Sequence, residues 1–196
     1  MTDANGCSAT SAAVNVVVHP LPTATVSGGG NLCQNSGSSL VVFTGSGGVA
    51  PYTFSYRVNG GAVQTIRTSS GNTVSVSVPS NSVGTYTYTL VGVQESSASA
   101  CSNAASGEVV VVINGLPTAS ITGSATVCSG ATSPMISFSG SGGTAPYVFT
   151  YELNGGALQT IQSTGSTATI SVPTTTAGTY VYLGIVTGKQ IGRAHV

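Results

Sequence analysis

Gly84-Thr85-Tyr86-Thr87-Tyr88-Thr89-Leu90 alternates large apolar side chains with threonines, and the block returns downstream as Gly178-Thr179-Tyr180-Val181-Tyr182. A period of two sends successive side chains to opposite faces of an extended strand. Tyr86, Tyr88 and Leu90 are therefore expected on a core, and Thr85, Thr87 and Thr89 in water. The recurrence shows that a unit of about 95 residues is repeated, long enough for each copy to bury its own core.

The same alternation extends outward in both directions. Tyr52, Phe54, Tyr56 and Val58 alternate with Thr53, Ser55 and Arg57, and the copy alternates Tyr147, Phe149, Tyr151 and Leu153 with Val148, Thr150 and Glu152. Aromatic rings therefore line one face of this strand. Asn59-Gly60-Gly61, repeated as Asn154-Gly155-Gly156, supplies the positive φ angles of a tight hairpin. Further strands are expected at 23–27, 40–44, 62–68, 73–78 and 109–113. Val41 and Phe43 keep their apolar character in Ile136 and Phe138, whereas Val42 becomes Ser137, which assigns Val42 to the wetter side. About seven short strands per unit at this spacing predict an all-β chain of antiparallel sandwiches.

Composition narrows the class. Only 4% of the 196 residues are charged, against roughly 25% in an ordinary soluble domain, so hydroxyls and backbone must supply the solubility. The 27 glycines do not imply disorder, because 40% of the chain is hydrophobic and patterned. With a formal net charge of zero, neither nucleic acid nor an anionic membrane surface is indicated as a partner, since clustered Lys and Arg hold both. The longest aliphatic run, 109–113, falls far short of the roughly 20 residues that span a bilayer, so no membrane insertion is expected. Residues 1–5 lack the basic and apolar regions of a secretory signal, and a signal is expected upstream.

Two junctions mark the units. In each, a Val-rich strand ends at a short connector, Pro20-Leu21-Pro22 or Gly115-Leu116-Pro117, and a new strand begins. Cys7 aligns with Cys101 and Cys33 with Cys128. Residues 1–20 accordingly read as the last strand of a truncated preceding repeat, 21–115 as a complete repeat, and 116–190 as an incomplete repeat lacking its final strand. The ending Gln190-Ile191-Gly192-Arg193-Ala194-His195-Val196 looks like the read-through of a sequencing adapter, so 191–196 reads as an artefact. An incomplete repeat leaves the Tyr180 strand with an open edge, and the orphan strand at 12–18 suits it. Strand-exchanged dimers are expected.

Gly-Ser-Gly-Gly-x-Ala-Pro-Tyr (45–52 and 140–147), Asn-Gly-Gly, Val-Pro-x-x-x-x-Gly-Thr-Tyr and Leu-Pro-Thr-Ala recur in fixed order. Together they resemble the PKD-like and immunoglobulin-like tandem repeats of large bacterial surface adhesins, including gliding-associated and type IX secreted proteins. The resemblance implies tandem immunoglobulin-like sandwiches outside the cell. Gly-x-Tyr-x-Tyr then looks like a tyrosine corner, with the Tyr86 and Tyr180 hydroxyls bonded to backbone a few residues upstream. A Cys33–Cys101 disulfide would close a long loop, giving roughly 4 kcal/mol, and would suit an oxidising compartment. In immunoglobulin topology, however, the loops carrying these residues lie at opposite ends of the sandwich. Either residues 28–38 cross back over the domain, or the cysteines staple successive repeats, or the thiols stay free. In the disulfide schemes Cys7 and Cys128 are left without partners by truncation.

Other chemistry finds little footing. The cysteines are too widely spaced for zinc, and the four acidic residues Asp3, Glu95, Glu108 and Glu152 are too dispersed for calcium. Lys189, the only lysine, lies too near the suspect tail for an isopeptide. His19 reads as a solvated connector residue, and no serine or carboxylate has the partners that catalysis needs. No cofactor is expected. The reading is a non-catalytic spacer repeat of an extracellular adhesin, held by neighbouring repeats. The alternative is a repeat that itself binds surface glycans or ice through tyrosine or threonine surfaces.

Overall fold

The computed structural model describes residues 1–185 completely, and 186 and 189–195 as backbone. All regular structure among them is β, and the chain divides into two compact units. In the first sandwich, β1 (Thr23–Gly28), β3 (Ser38–Ser46) and β6 (Thr73–Pro79) form a three-stranded sheet in the order β1-β3-β6. Facing it, β2 (Gly30–Cys33), β4 (Thr53–Val58), β5 (Gln64–Arg67), β7 (Gly84–Gln94) and β8 (Ser102–Asn114) form a five-stranded sheet, order β2-β8-β7-β4-β5.

Register follows from which side chains must be inside. Phe43 pairs with Val26 on one side and Val74 on the other, so three apolar residues stand abreast on the inner face of the sheet. Val41, Phe43, Phe54 and Val111 are fully buried, and Tyr52, Tyr56, Tyr88, Leu90 and Ile113 nearly so. Val42 is only half-buried, as its replacement by Ser137 predicts. Phe43 stacks on Phe54 at 5.7 Å between ring centroids and tilts against Tyr56 at 5.1 Å. Asn59 (φ 50) and Gly60 (φ 70) make the predicted left-handed turn, closed by Gly61 N–H donating to Val58 O at 2.9 Å. The Asn59 side chain also accepts from the Thr87 N–H at 2.7 Å, which ties the hairpin to β7.

The second sandwich repeats this plan. β9 (Thr118–Thr122), β10 (Met135–Ser141) and β13 (Thr167–Ser171) form one sheet in the order β13-β10-β9. β11 (Val148–Leu153), β12 (Gln159–Gln162), β14 (Val181–Val186) and β15 (Lys189–His195) form the other, in the order β12-β11-β14-β15. Its core is Ile121, Ile136, Phe138, Phe149, Tyr151, Val172 and Tyr182 with Ala168.

Three features depart from the sequence reading. An eighth strand, β2, begins at Gly30, and Gly28, Gly29 and Gly30, all at positive φ, carry the chain from one sheet to the other. A methyl on Gly29 would lie 2.6 Å from Val110 O, and Gln34 N–H donates to Asn114 O, so β2 and β8 run in the same direction. Residues 12–18, expected as a strand, have no regular structure, and Val14, Val16 and Val18 are 84–88% exposed. A lone strand has neither ladder partners nor a core face, so nothing offsets the entropy of extending it. Finally, backbone of the tail expected to be foreign runs antiparallel to β14 as β15. The side chains of 191–195, and Val196 entirely, lie outside the described residues.

Candidate functional site

The repeated Gly-Ser-Gly-Gly-x-Ala-Pro-Tyr block is a clasp around one tyrosine. The Tyr52 hydroxyl donates to Gly48 O at 2.9 Å and lies 3.2 Å from Gly48 N, which donates to it. Gly45 lies flat against the ring, since an added Cβ would stand 2.7 Å from Cγ. The Tyr52 N–H donates to Thr68 Oγ1 at 2.9 Å, and that hydroxyl donates onward to Gly71 O. Every element recurs in the second sandwich: Tyr147 hydroxyl to Gly143 O at 3.0 Å, Gly140 under the ring, and Tyr147 N–H to Ser163 Oγ at 2.7 Å. Pro51 and Pro146 each follow a cis peptide bond. The block therefore closes one end of the sandwich, and the Gly48 backbone donor and acceptor face the tyrosine.

Beside the first clasp sits Glu95, 3% exposed. Its carboxylate accepts from the Val49, Ser97 and Cys101 N–H groups at 3.1, 3.0 and 3.1 Å and from the Ser97 hydroxyl. The Ser97 hydroxyl is the largest cause holding the carboxyl down at about 2 against an ordinary 4.5, with the backbone donors assisting and burial opposing. A depressed acid stabilises the fold fully above its unfolded pKa and ceases to do so as pH falls through the folded value. Stability of the first sandwich is therefore expected to decline between pH 4.5 and about 2. Glu95→Gln should be less stable at pH 7 and flatter across that window. Thermal melts from pH 2 to 7 that run parallel for both proteins would refute this role for Glu95.

Aromatic rings offer no exposed platform among the described residues. Tyr52, Tyr56, Tyr88, Tyr151 and Tyr182 are buried, and Tyr86, Tyr147 and Tyr180 are half-buried. Burial raises the Tyr88 and Tyr182 hydroxyls above their ordinary pKa, with neighbouring tyrosines assisting. Of the threonine row, Thr85 is exposed while Thr87 and Thr89 are half-buried. A shallow depression of about 560 Å³ does open on the five-stranded sheet of the first sandwich, floored by Thr53, Ser55, Thr65, Gln94, Ser102 and Asn103. Its hydroxyls and amides can donate and accept hydrogen bonds.

All four cysteines are free thiols. Cys33 ends β2 next to Asn114, at the close of β8, whereas Cys101 immediately precedes β8. At about 3.3 Å per residue the two stand roughly 40 Å apart, far beyond the ~7 Å a bridge allows. Residues 28–38 do cross between the sheets, but they run alongside β8 toward its far end, so Cys33 cannot reach Cys101 within the unit. Cys7 and Cys128 are exposed. The Tyr180 hydroxyl donates to Thr176 O at 3.2 Å, four residues upstream, and Tyr86 opens β7 at the matching position. Among the described residues no three His, Cys, Asp or Glu side chains gather as a metal site.

The second sandwich contains an open groove of about 620 Å³, lined by Ala125, Val127, Pro173, Ala177, Thr179 and Tyr180 among others. The sequence offered no sign of it, because it arises from what 124–129 and 172–180 leave uncovered. The clasp and the Glu95 loop were hidden to different degrees. For the clasp the signals were the recurring block itself and the hydroxyl that both copies keep at Thr68 and Ser163; the Glu95 loop had none.

Strand order, the inter-sheet crossover and the shared core define an immunoglobulin-like β-sandwich, occurring twice in succession. No family model matches the chain, and no curated protein matches it in sequence. Among solved structures it is similar to a Ca2+-stabilized adhesin that helps an Antarctic bacterium reach out and bind ice, at 16% identity and TM-score 0.50, covering 99% of this chain and 53% of the other. A structure bearing on host cell surface retention of a 1.5-MDa bacterial ice-binding adhesin aligns at 14% identity, TM-score 0.42, covering 89% and 63%. The fibronectin(III)-like modules of Clostridium thermocellum CbhA align at 10% identity, TM-score 0.36, covering 88% and 92%. The chain thus spans less than two thirds of either adhesin structure.

Proposed function

We propose that the chain is a run of non-catalytic spacer repeats from a bacterial surface adhesin, located outside the cell or on its surface. Each sandwich supplies length and stiffness, and a short connector such as Gly115-Leu116-Pro117 limits bending between neighbours. The observation that carries this reading is the burial of the aromatic side chains: the rings that would stack on a sugar are used to fill the two cores. The recurring blocks support a PKD-like repeat of the gliding-associated, type IX secreted kind. Tyr86 and Tyr180 act as corner tyrosines in this reading. Cys33 and Cys101, at opposite ends of one unit, suit bridges to successive repeats.

A second reading rests on the depression floored by Thr53, Ser55, Thr65 and Gln94, whose hydroxyl and amide groups fit a glycan or an ordered water lattice. A glycan array and an ice-affinity assay on the full chain separate the two. The spacer predicts no retention on either. Retention that Ser55→Ala or Gln94→Ala abolishes would displace the spacer in favour of binding.

A further inference from the structure

We propose that the groove of the second sandwich is a strand acceptor, and that its occupant is residues 12–19 of a second copy of this chain. In the first sandwich the matching place is filled. There β2 and the opening of β7 flank the end of β8, whose Val109, Val111 and Ile113 are 9%, 0% and 1% exposed. In the second sandwich the counterparts of β2 and of the β7 opening, 125–128 and 178–180, form no strand and line the groove instead.

Among the described residues, β15 is not paired with 178–180. It pairs with β14 only from Val181, opposite His195, through Val186, opposite Lys189. The backbone of 178–180 therefore lies past the end of the described ladder. Its counterpart, beginning at Gly84, is already strand in β7. A sandwich edge that no described strand pairs at this point presents backbone donors and acceptors beside a groove into its interior, which is the geometry that accepts an added strand.

The chain also carries the missing piece. Val14, Val16 and Val18 stand in sequence where Val109, Val111 and Ile113 stand, and Asn15 matches Val110, which is 40% exposed in β8. The apolar alternation that fills the first sandwich is thus present a second time, at 84–88% exposure and without regular structure. The connectors downstream of the two segments correspond as well. Residues 12–18 lead through His19-Pro20-Leu21-Pro22 into β1, as β8 leads through Asn114-Gly115-Leu116-Pro117 into β9. A donated strand would therefore enter its own first sandwich by the same kind of connector that joins consecutive sandwiches within one chain. Donor and acceptor occupy different parts of the molecule, so the contact is heterologous and generates head-to-tail chains.

The test is sedimentation of the full chain over a wide concentration range. A ladder of oligomers growing with concentration is expected. The double variant Val16→Asp, Val18→Asp should weaken association by at least about a hundredfold, since each valine contributes tenfold or more when buried. Melting of either sandwich should be unchanged in that variant, because both residues are exposed in the single chain. A free peptide of residues 12–19 should collapse the ladder and slow amide exchange at 125–128 and 178–180. A chain that stays monomeric at every concentration overturns the proposal, as does a ladder indifferent to both the variant and the peptide.

Discussion

Phe43→Ala will destabilise the first sandwich by about 3–5 kcal/mol, the usual range for emptying an aromatic site in a close-packed core. Phe43 has no solvent exposure, and its ring lies between Phe54 and Tyr56 of the opposing sheet, at 5.7 and 5.1 Å. Its neighbours are strand residues fixed by ladders on both sides, so the cavity cannot collapse by moving a loop. Denaturant unfolding checks the expectation. Two transitions are anticipated, and the one belonging to the second sandwich, built on Phe138, Phe149 and Tyr151, should stay in place. A loss under about 1 kcal/mol would mean that this ring is not central to the core.

Gly45→Ala will cost about 1–3 kcal/mol through overpacking. The new methyl would stand within 2.9 Å of three Tyr52 ring atoms, and the ring cannot tilt away while its hydroxyl is held by both the N–H and the carbonyl of Gly48. Gly165→Ala is the control, because nothing lies within 4 Å of its added methyl. Its effect should stay within about 0.5 kcal/mol. A double-mutant cycle completes the test: with Tyr52 truncated to alanine the methyl has room, so the penalty of Gly45→Ala should largely vanish. Equal penalties in both backgrounds would show that the clasp is not the cause.

The clasp also shows where sequence reading stops. Gly-Ser-Gly-Gly before Pro51 reads as a repeated block, of which Gly45 and Ser46 end β3 while Gly47 and Gly48 bend away from it. That a glycine must underlie an aromatic ring seven residues later is visible only once β3 and β4 face each other across the core. Glu95 is a similar case. As one of four scattered acids it reads only as unsuited to calcium, yet its acceptor oxygens meet N–H groups from its own loop, at Ser97 and Cys101, and from Val49, 46 residues away in sequence. The three alternatives left open for Cys33 and Cys101 illustrate a related limit of local patterns. Sequence alignment places both cysteines in one unit and immunoglobulin topology sets them at opposite ends, but only the course of β2 alongside β8 showed that residues 28–38 do not bring them together.

Period-two alternation at Tyr52–Tyr56 and Tyr86–Leu90, together with Asn-Gly-Gly at both hairpins, was enough by itself to determine an all-β chain of two similar sandwiches, with the aromatic rings inside. Those signals are local: a strand's two faces and a turn's φ angles are decided by neighbours within a few residues. Only the tertiary structure decided that 30–33 is a strand while 12–18 is not. Residues 30–33 carry no alternation and become a strand because β8 presents an edge to them. Residues 12–18 alternate and stay irregular, because a ladder needs a partner that the chain does not bring to them.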